Sequence, residues 1–209
     1  MEISHLGHAC FKLRGKNITL LIDPFDDSIG LKMPKVTADA VLCTHAHPDH
    51  HDLSRVEGYR VVIEKPGEYE VGGAQILGVS AFHDASKGSE RGKVTCFQIK
   101  MDGLSLVHLG DLGTKLTSDQ VEELNDIDIL MVPTGGLFTI SSSEAAEVAA
   151  QLEPKIIIPM HYKVDNLKLA LEPVNNFLKA MGKENVKPQP KLVVNKDKLP
   201  GEPEVVVLE

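Results

Sequence analysis

The sequence is poor in cysteine. Cys10, Cys43 and Cys96 are widely spaced, odd in number and form no Cys-x-x-Cys pair. That argues against a disulfide framework and against a zinc knuckle. Each lies in an apolar or β-branched run, where a buried strand thiol is expected. No apolar stretch approaches the roughly 18 residues of a membrane span. The opening residues, Met1-Glu2-Ile3-Ser4-His5, lack the charged and then apolar pattern of a secretory leader. With unpaired thiols, this predicts a cytoplasmic protein. Positive charge is also in deficit: 22 Lys and Arg face 30 Asp and Glu, for a net charge of −8. Such a surface repels a polyanion on average, so no nucleic-acid partner is expected. No repeat of fixed period and no low-complexity tract interrupts the chain.

What remains is ordinary globular composition, 42% hydrophobic and 25% charged over 209 residues. That length suits a single domain spanning 1–209. The first half reads as strands and turns: Cys10–Leu13, Ile18–Ile22, Ala40–Thr44, Arg60–Ile63, Ala74–Val79, Val94–Lys100 and Leu104–Leu109. Asp102-Gly103 marks a tight hairpin. The second half alternates helix and strand. Thr117-x-x-Gln120 and Ser141-x-x-Glu144 are capping boxes, the first with a Leu116–Val121 staple and a helix running to about Asn125. Ala145, Val148, Ala149 and Leu152 repeat as one helical face. Strands are expected at Ile127–Val132, Ile156–Ile158, Leu192–Val194 and Val205–Leu208. Pro173 suits a first helical position, ahead of an apolar stripe through Val174, Phe177, Leu178 and Met181 that Gly182 stops. Two packed sheets with helices outside would bury such short strands.

Histidine is the residue in excess. Four of nine, His45, His47, His50 and His51, fall within seven positions. The segment Thr44-His45-Ala46-His47-Pro48-Asp49-His50-His51-Asp52 follows an apolar strand. In extended backbone, His45 and His47 face the same side. Pro48 then bends the chain, so that Asp49 and His50 approach the same point from another direction. Convergent nitrogen and oxygen donors suit a borderline or hard divalent metal.

His-x-His-x-Asp-His after an apolar strand resembles the metallo-β-lactamase superfamily. Further elements follow in the family's order: Asp23 at a strand end, His83 after a strand ending at Phe82, Asp111 in Leu109-Gly110-Asp111-Leu112-Gly113, and His161 after Ile156–Met160. The wording of Leu6-Gly7-His8-Ala9, Lys65-Pro66-Gly67-Glu68-Tyr69 and Ile158-Pro159-Met160-His161-Tyr162 is similar to a branch of small metal-dependent hydrolases akin to ascorbate-6-phosphate lactonase. N-acyl-phosphatidylethanolamine phospholipase D is more distant. Thr114 stands where the lactonase-like relatives often carry another histidine.

The resemblance implies an α/β fold, a four-layer αββα sandwich with metals at one edge between two sheets. It implies one metal on His45, His47 and His83, a second on Asp49, His50 and His161, and Asp111 bridging them. Asp23 would orient a ligand histidine. The cofactor would be two divalent ions, zinc first, manganese or iron as alternatives. They would lower the pKa of a bridging water to near neutrality, and the resulting hydroxide would attack a small ester, lactone or phosphoester. Asp49 would shuttle a proton to the leaving group.

An iron-dependent, sulfur-dioxygenase-like oxidoreductase on the same shell is the alternative, as is a nuclease or phosphodiesterase. A metal-binding protein without turnover is disfavoured by intact ligands on both metals. His8 is left between an active-site and a loop role. His108 is expected to pack or to support a ligand rather than to bind metal. His51 is expected to be solvated and His5 structural. Lys87, Arg91 and Lys93 follow His83 in a Gly- and Ser-containing loop expected to be mobile. They form either a solvated surface or an anion clamp for a small anionic substrate, with Arg91 gripping phosphate or carboxylate. Thr134-Gly135-Gly136 either lines the pocket or is a plain turn. A homo-oligomer is compatible with this reading.

Overall fold

The computed structural model describes residues 1–209. The strands in chain order are β1 (Glu2–Gly7), β2 (Cys10–Arg14), β3 (Thr19–Ile22), β4 (Val36–Thr37), β5 (Ala40–Leu42), β6 (Val56–Glu57), β7 (Val61–Ile63) and β8 (Gly67–Val71). They continue with β9 (Ala74–Phe82), β10 (Lys93–Met101), β11 (Leu104–His108), β12 (Ile129–Pro133), β13 (Ile156–Met160), β14 (Leu192–Val193) and β15 (Glu204–Val205). The helices are α1 (Ser118–Glu123), α2 (Ser142–Leu152) and α3 (Val174–Ala180). One sheet has the order β14-β1-β2-β3-β5-β7 and the other β15-β13-β12-β11-β10-β9-β8; β4 and β6 pair separately.

Side-chain alternation divides these strands between three apolar layers. Phe11, Leu13, Leu20, Ile22 and Leu42 of the first sheet face Phe97, Ile99, Leu106, Ile129 and Ile158 of the second in the central core. The intervening residues of the second sheet, among them Cys96, Val107, Leu130 and Ile157, pack under Ala145, Val148, Ala149, Leu152, Phe177 and Leu178 of the helices. Cys10, Leu21, Val41 and Cys43 point outward from the first sheet. They are covered by Phe25, Ile29, Met33, Leu167 and Leu171, which belong to a 3₁₀ turn at Asp27–Ile29 and to loops. The protein is thus a layered sandwich of two sheets, with helices over the second and irregular chain as the layer over the first. All three cysteines are free and buried.

Both capping boxes form, with the Thr117 and Ser141 side chains each accepting from the backbone N–H three residues on. Pro173 sits one position earlier than the helical signal suggests. It is the N-cap, with extended backbone, and Val174 is the first helical residue. Four strands lie outside the sequence reading, the two-residue β4 and β6 and the longer β1 and β8. β1 buries only Ile3 fully, and β8 has no fully buried residue; neither carries a run of apolar side chains. Asp102 and Gly103, at φ 53° and 78°, turn the chain between β10 and β11, where Met101 pairs with Leu104. No helix is long and apolar enough to cross a membrane.

Candidate metal centre

The sandwich brings chain segments from both sheets to one edge. His8 lies in the β1–β2 turn, Asp23 directly after β3, and Thr44 to His50 just beyond β5. His83 follows β9, Asp111 lies beyond β11, and His161 follows β13. His8, Asp23 and His161 take positive φ, at 56°, 49° and 52°. This left-handed backbone is uncommon for residues other than glycine and turns the side chain sharply off the strand. Close approach is secured by glycine at two positions. A Cβ on Gly113 would lie 2.2 Å from the His83 carbonyl carbon, and one on Gly135 would lie 2.1 Å from the His161 carbonyl oxygen.

Asp111 occupies the middle. Its Oδ1 is 3.2 Å from His50 Nε2, and its Oδ2 lies 3.4 Å from His83 Nε2 and 3.2 Å from His161 Nε2. His45, His47 and His83 bring three ligand atoms within 4.8 Å of one another. So do His45, His50 and Asp111, and likewise His8, His50 and His161. Asp49 Oδ2 stands 3.3 Å from His8 Nε2 and 3.9 Å from His50 Nε2.

Behind the cluster, Asp23 is fully buried and accepts three hydrogen bonds. They come from the Thr44 backbone N–H at 2.7 Å, the Thr44 hydroxyl at 2.7 Å and His50 Nδ1 at 2.9 Å. The single Thr44 hydroxyl proton is thereby used. The hydroxyl must then accept from His45 Nδ1, 3.0 Å away. Both His45 and His50 carry their proton on Nδ1 in this network and aim Nε2 into the cluster. Thr44 escaped the sequence reading, although it opens the histidine-rich segment as a hydroxyl residue at a strand end.

The electrostatics follow from burial and charge. Burial raises the Asp23 pKa, but neighbouring His50 more than reverses this and holds it below the usual range. Asp111 is likewise desolvated, yet His161 and His50 hold it far down. Burial opposes a charged His50, while Asp111 and Asp23 push its pKa well above the ordinary imidazole value. His45 is pushed down to about 3 by burial and by His50.

One test of whether a cation suits these side chains lies in their unmet polar atoms. Every buried side-chain nitrogen or oxygen lacking a hydrogen-bond partner belongs to this cluster: His8 Nδ1 and Nε2, His45 Nε2, His50 Nε2, His83 Nδ1, Asp111 Oδ1 and His161 Nδ1. Each such group costs about 1–3 kcal/mol when left unpaired. A divalent cation satisfies lone pairs of this kind, and the mixture of imidazoles and carboxylates is a donor set for zinc, manganese or iron.

The cluster floors a cavity of about 170 Å³, walled also by Arg91, Phe138 and Leu169. The Arg91 guanidinium lies over the Phe138 ring, 5.4 Å from its centre. Larger hollows of about 560 and 500 Å³ lie over β8–β10 and beside Tyr162 and Leu208, and neither includes a member of the central cluster. The backbone of the loop carrying Arg91 is gathered around Asp84. The Asp84 carboxylate accepts from the backbone N–H groups of Ser86, Gly88, Glu90 and Arg91 at 2.7–3.2 Å. Lys87 and Lys93 are exposed and do not line the cavity. The Thr134 side chain is buried and hydrogen-bonds the Met160 carbonyl, while Gly135 backs His161.

The remaining histidines separate cleanly. His108 spends both ring nitrogens on backbone, with Nε2 donating to the Ala9 carbonyl at 2.9 Å and Nδ1 accepting from Gly110 N–H at 3.1 Å. It ties the second sheet to the first and touches neither ligand nor cavity. His51, expected to be solvated, pairs with Glu64 at 2.5 Å. His5 stacks on Phe11 and bonds the His8 carbonyl.

With this geometry in place, residues 2–161 match the model of the β-lactamase superfamily domain, and the chain belongs to the metallo-β-lactamase superfamily. A UPF0173 metal-dependent hydrolase of Archaeoglobus fulgidus is 31% identical over 193 residues, covering 78% of this chain and 83% of its own. That of Methanoculleus marisnigri is 32% identical over 187 residues, with 78% and 81% covered. A Thermotoga maritima crystal structure, described as a Zn-dependent hydrolase of the metallo-β-lactamase superfamily, is 43% identical. Its TM-score is 0.82, and the match covers 99% of this chain and 97% of that one. Within the superfamily, the chain falls in the UPF0173 family of metal-dependent hydrolases.

Proposed function

We propose that the protein is a hydrolase that holds two divalent ions, zinc first among them, and acts on a small ester, lactone or phosphoester. The observation carrying this reading is the concentration of every unpartnered buried polar side-chain atom in one His/Asp cluster. His45, His47 and His83 hold one ion, Asp49, His50 and His161 the other, and Asp111 spans the two. Paired divalent ions supply an activated water at neutral pH and polarise a carbonyl or phosphoryl oxygen.

The protein's own groups do the rest. Asp23 fixes the rings of His50, directly, and His45, through Thr44. Asp49, whose side chain keeps 21% exposure at the cavity wall, relays a proton toward the leaving group. Arg91 meets an anionic portion of the substrate, and its stacking on Phe138 limits where the guanidinium can go. The small cavity favours a compact substrate over a polymer.

Elemental analysis of protein loaded with zinc, manganese or iron, run beside a panel of lactones, phosphodiesters, thioesters and persulfides, tests the assignment. Two ions per chain and hydrolysis of one ester class are expected. Asp111→Asn should lower metal occupancy and turnover together while leaving the circular dichroism of the sheets intact. Protein that takes up no transition metal under any loading condition overturns the reading. Iron retention with oxygen consumption on a persulfide would move it to redox chemistry.

A further inference from the structure

Of the nine histidines, five are assigned above as ligands and three have partners elsewhere: His5 on the His8 carbonyl, His51 on Glu64 and His108 on Ala9 and Gly110. His8 is left over. It is 2% exposed, and neither ring nitrogen makes a hydrogen bond. We propose that His8 is a further ligand of the second metal ion, sharing it with Asp49, His50 and His161. The inference rests on the two-metal reading above and extends it.

The backbone around His8 is shaped to aim this ring. Gly7 and His8 take φ of 113° and 56°, at a register shift in the β1–β2 pairing between His5 and Gly7. Positive φ on a residue with a Cβ costs energy and persists only where the surroundings enforce it. Here they do. The His8 carbonyl accepts from the His161 backbone N–H at 2.9 Å and from His5 Nε2 at 3.0 Å. The ring therefore enters the cluster from a fixed point, beside His161, with ring centres 4.2 Å apart.

Donor atoms of His8, His50 and His161 lie within 4.8 Å of one another. In a tetrahedral shell, Zn–N bonds of about 2.0–2.1 Å place neighbouring donors about 3.3 Å apart, so the three rings reach one ion by drawing together around it. His8 Nε2 lies 3.3 Å from Asp49 Oδ2 without hydrogen-bond geometry. Two donors facing each other in this way are accommodated by a cation between them.

An eighth ligand makes the two ions unequal. The second would have four side chains besides Asp111, the first only His45, His47 and His83. Sites saturated by protein tend to be structural, while open positions mark the ion that meets substrate. Substrate would accordingly engage the first ion, whose His47 and His83 line the same cavity as Arg91.

The test compares wild type with His8→Ala and His8→Gln, using zinc alone and a competing chelator. Wild type should bind two equivalents. In both variants one equivalent should weaken at least tenfold while the other is unchanged. Two unchanged equivalents overturn the inference and leave the two-metal reading standing, whereas wild type that binds fewer than two overturns both. Should the variants fail to fold, cobalt-loaded wild type labelled at histidine decides the matter. His8 ring signals with a bond-transmitted paramagnetic shift are expected, and signals shifted only through space overturn ligation.

Discussion

The two sides of the histidine cluster are built differently. His47 is exposed and His45 half-buried, and both come from one short segment next to the cavity. His8, His50 and His161 are all buried and come from segments far apart in sequence. On the accessible side His45 and His47 depend on local spacing, and they are completed by buried His83 from beyond β9 and by the Thr44 contact to His45. The buried side depends on the whole sandwich. His50 is held by Asp23 from a neighbouring strand end, and His161 is locked against the His8 turn by a backbone hydrogen bond. Proximity in sequence and tethering in space are thus separate routes to a ligand, and damage to the fold should reach them unequally.

Asp23→Ala should separate the two routes most strongly. It removes the acceptor of three buried hydrogen bonds and leaves Thr44 and His50 donors unmet, at a cost of about 3–5 kcal/mol. Urea unfolding of chelator-treated protein measures this. A loss near 1 kcal/mol would show that the buried side is not tethered as described. The same carboxylate has a pH signature. Its folded pKa lies below its unfolded value of about 3.9. Its stabilisation is therefore complete above that value and is lost as pH falls through the depressed folded pKa. The acid limb of chelator-treated wild type should be steeper than that of Asp23→Asn, and parallel limbs would remove Asp23 from the acid response.

Arg91→Ala probes the cavity wall that both sides share. The side chain is 34% exposed, so solvent screens part of its interaction. KM for an anionic substrate should rise about tenfold, or about 1.4 kcal/mol, with little change for a neutral ester of similar shape. Equal effects on both would return the loop to a plain surface role.

The smallest effect is expected at His51, next in sequence to His50 yet paired with exposed Glu64. His51→Ala should change stability by less than about 1 kcal/mol and leave metal content unaltered. A loss of metal would mean that adjacency alone recruits a histidine to the centre.

Legibility in the sequence follows the same division. The capped helices announce themselves by a period of 3.6, and strands β2, β3 and β5 by short apolar or β-branched runs between turn residues. The cover of the first sheet does not. Phe25, Ile29, Met33, Leu167 and Leu171 are scattered through loops without a period. β1 and β8 are hidden because half-exposed strands carry His, Gly and Glu. At the centre, the His45–His50 segment is visible from its spacing, whereas Asp23, Asp111 and His161 are nominated only by resemblance. Thr44 and Asp84 work by hydrogen bonds to their immediate surroundings, which no spacing rule registers. Both adjoin a candidate ligand.

The Asp84 loop has a consequence for how such an enzyme diversifies. Arg91 hangs from a segment whose backbone is organised around one internal carboxylate, and Phe138 sits just ahead of an independently capped helix. Neither residue belongs to the His/Asp cluster. Selectivity can drift at those two tips by single substitutions while the reaction centre stays intact. Libraries confined to 85–91 and 136–139 should therefore change which substrate is accepted far more often than they abolish metal uptake.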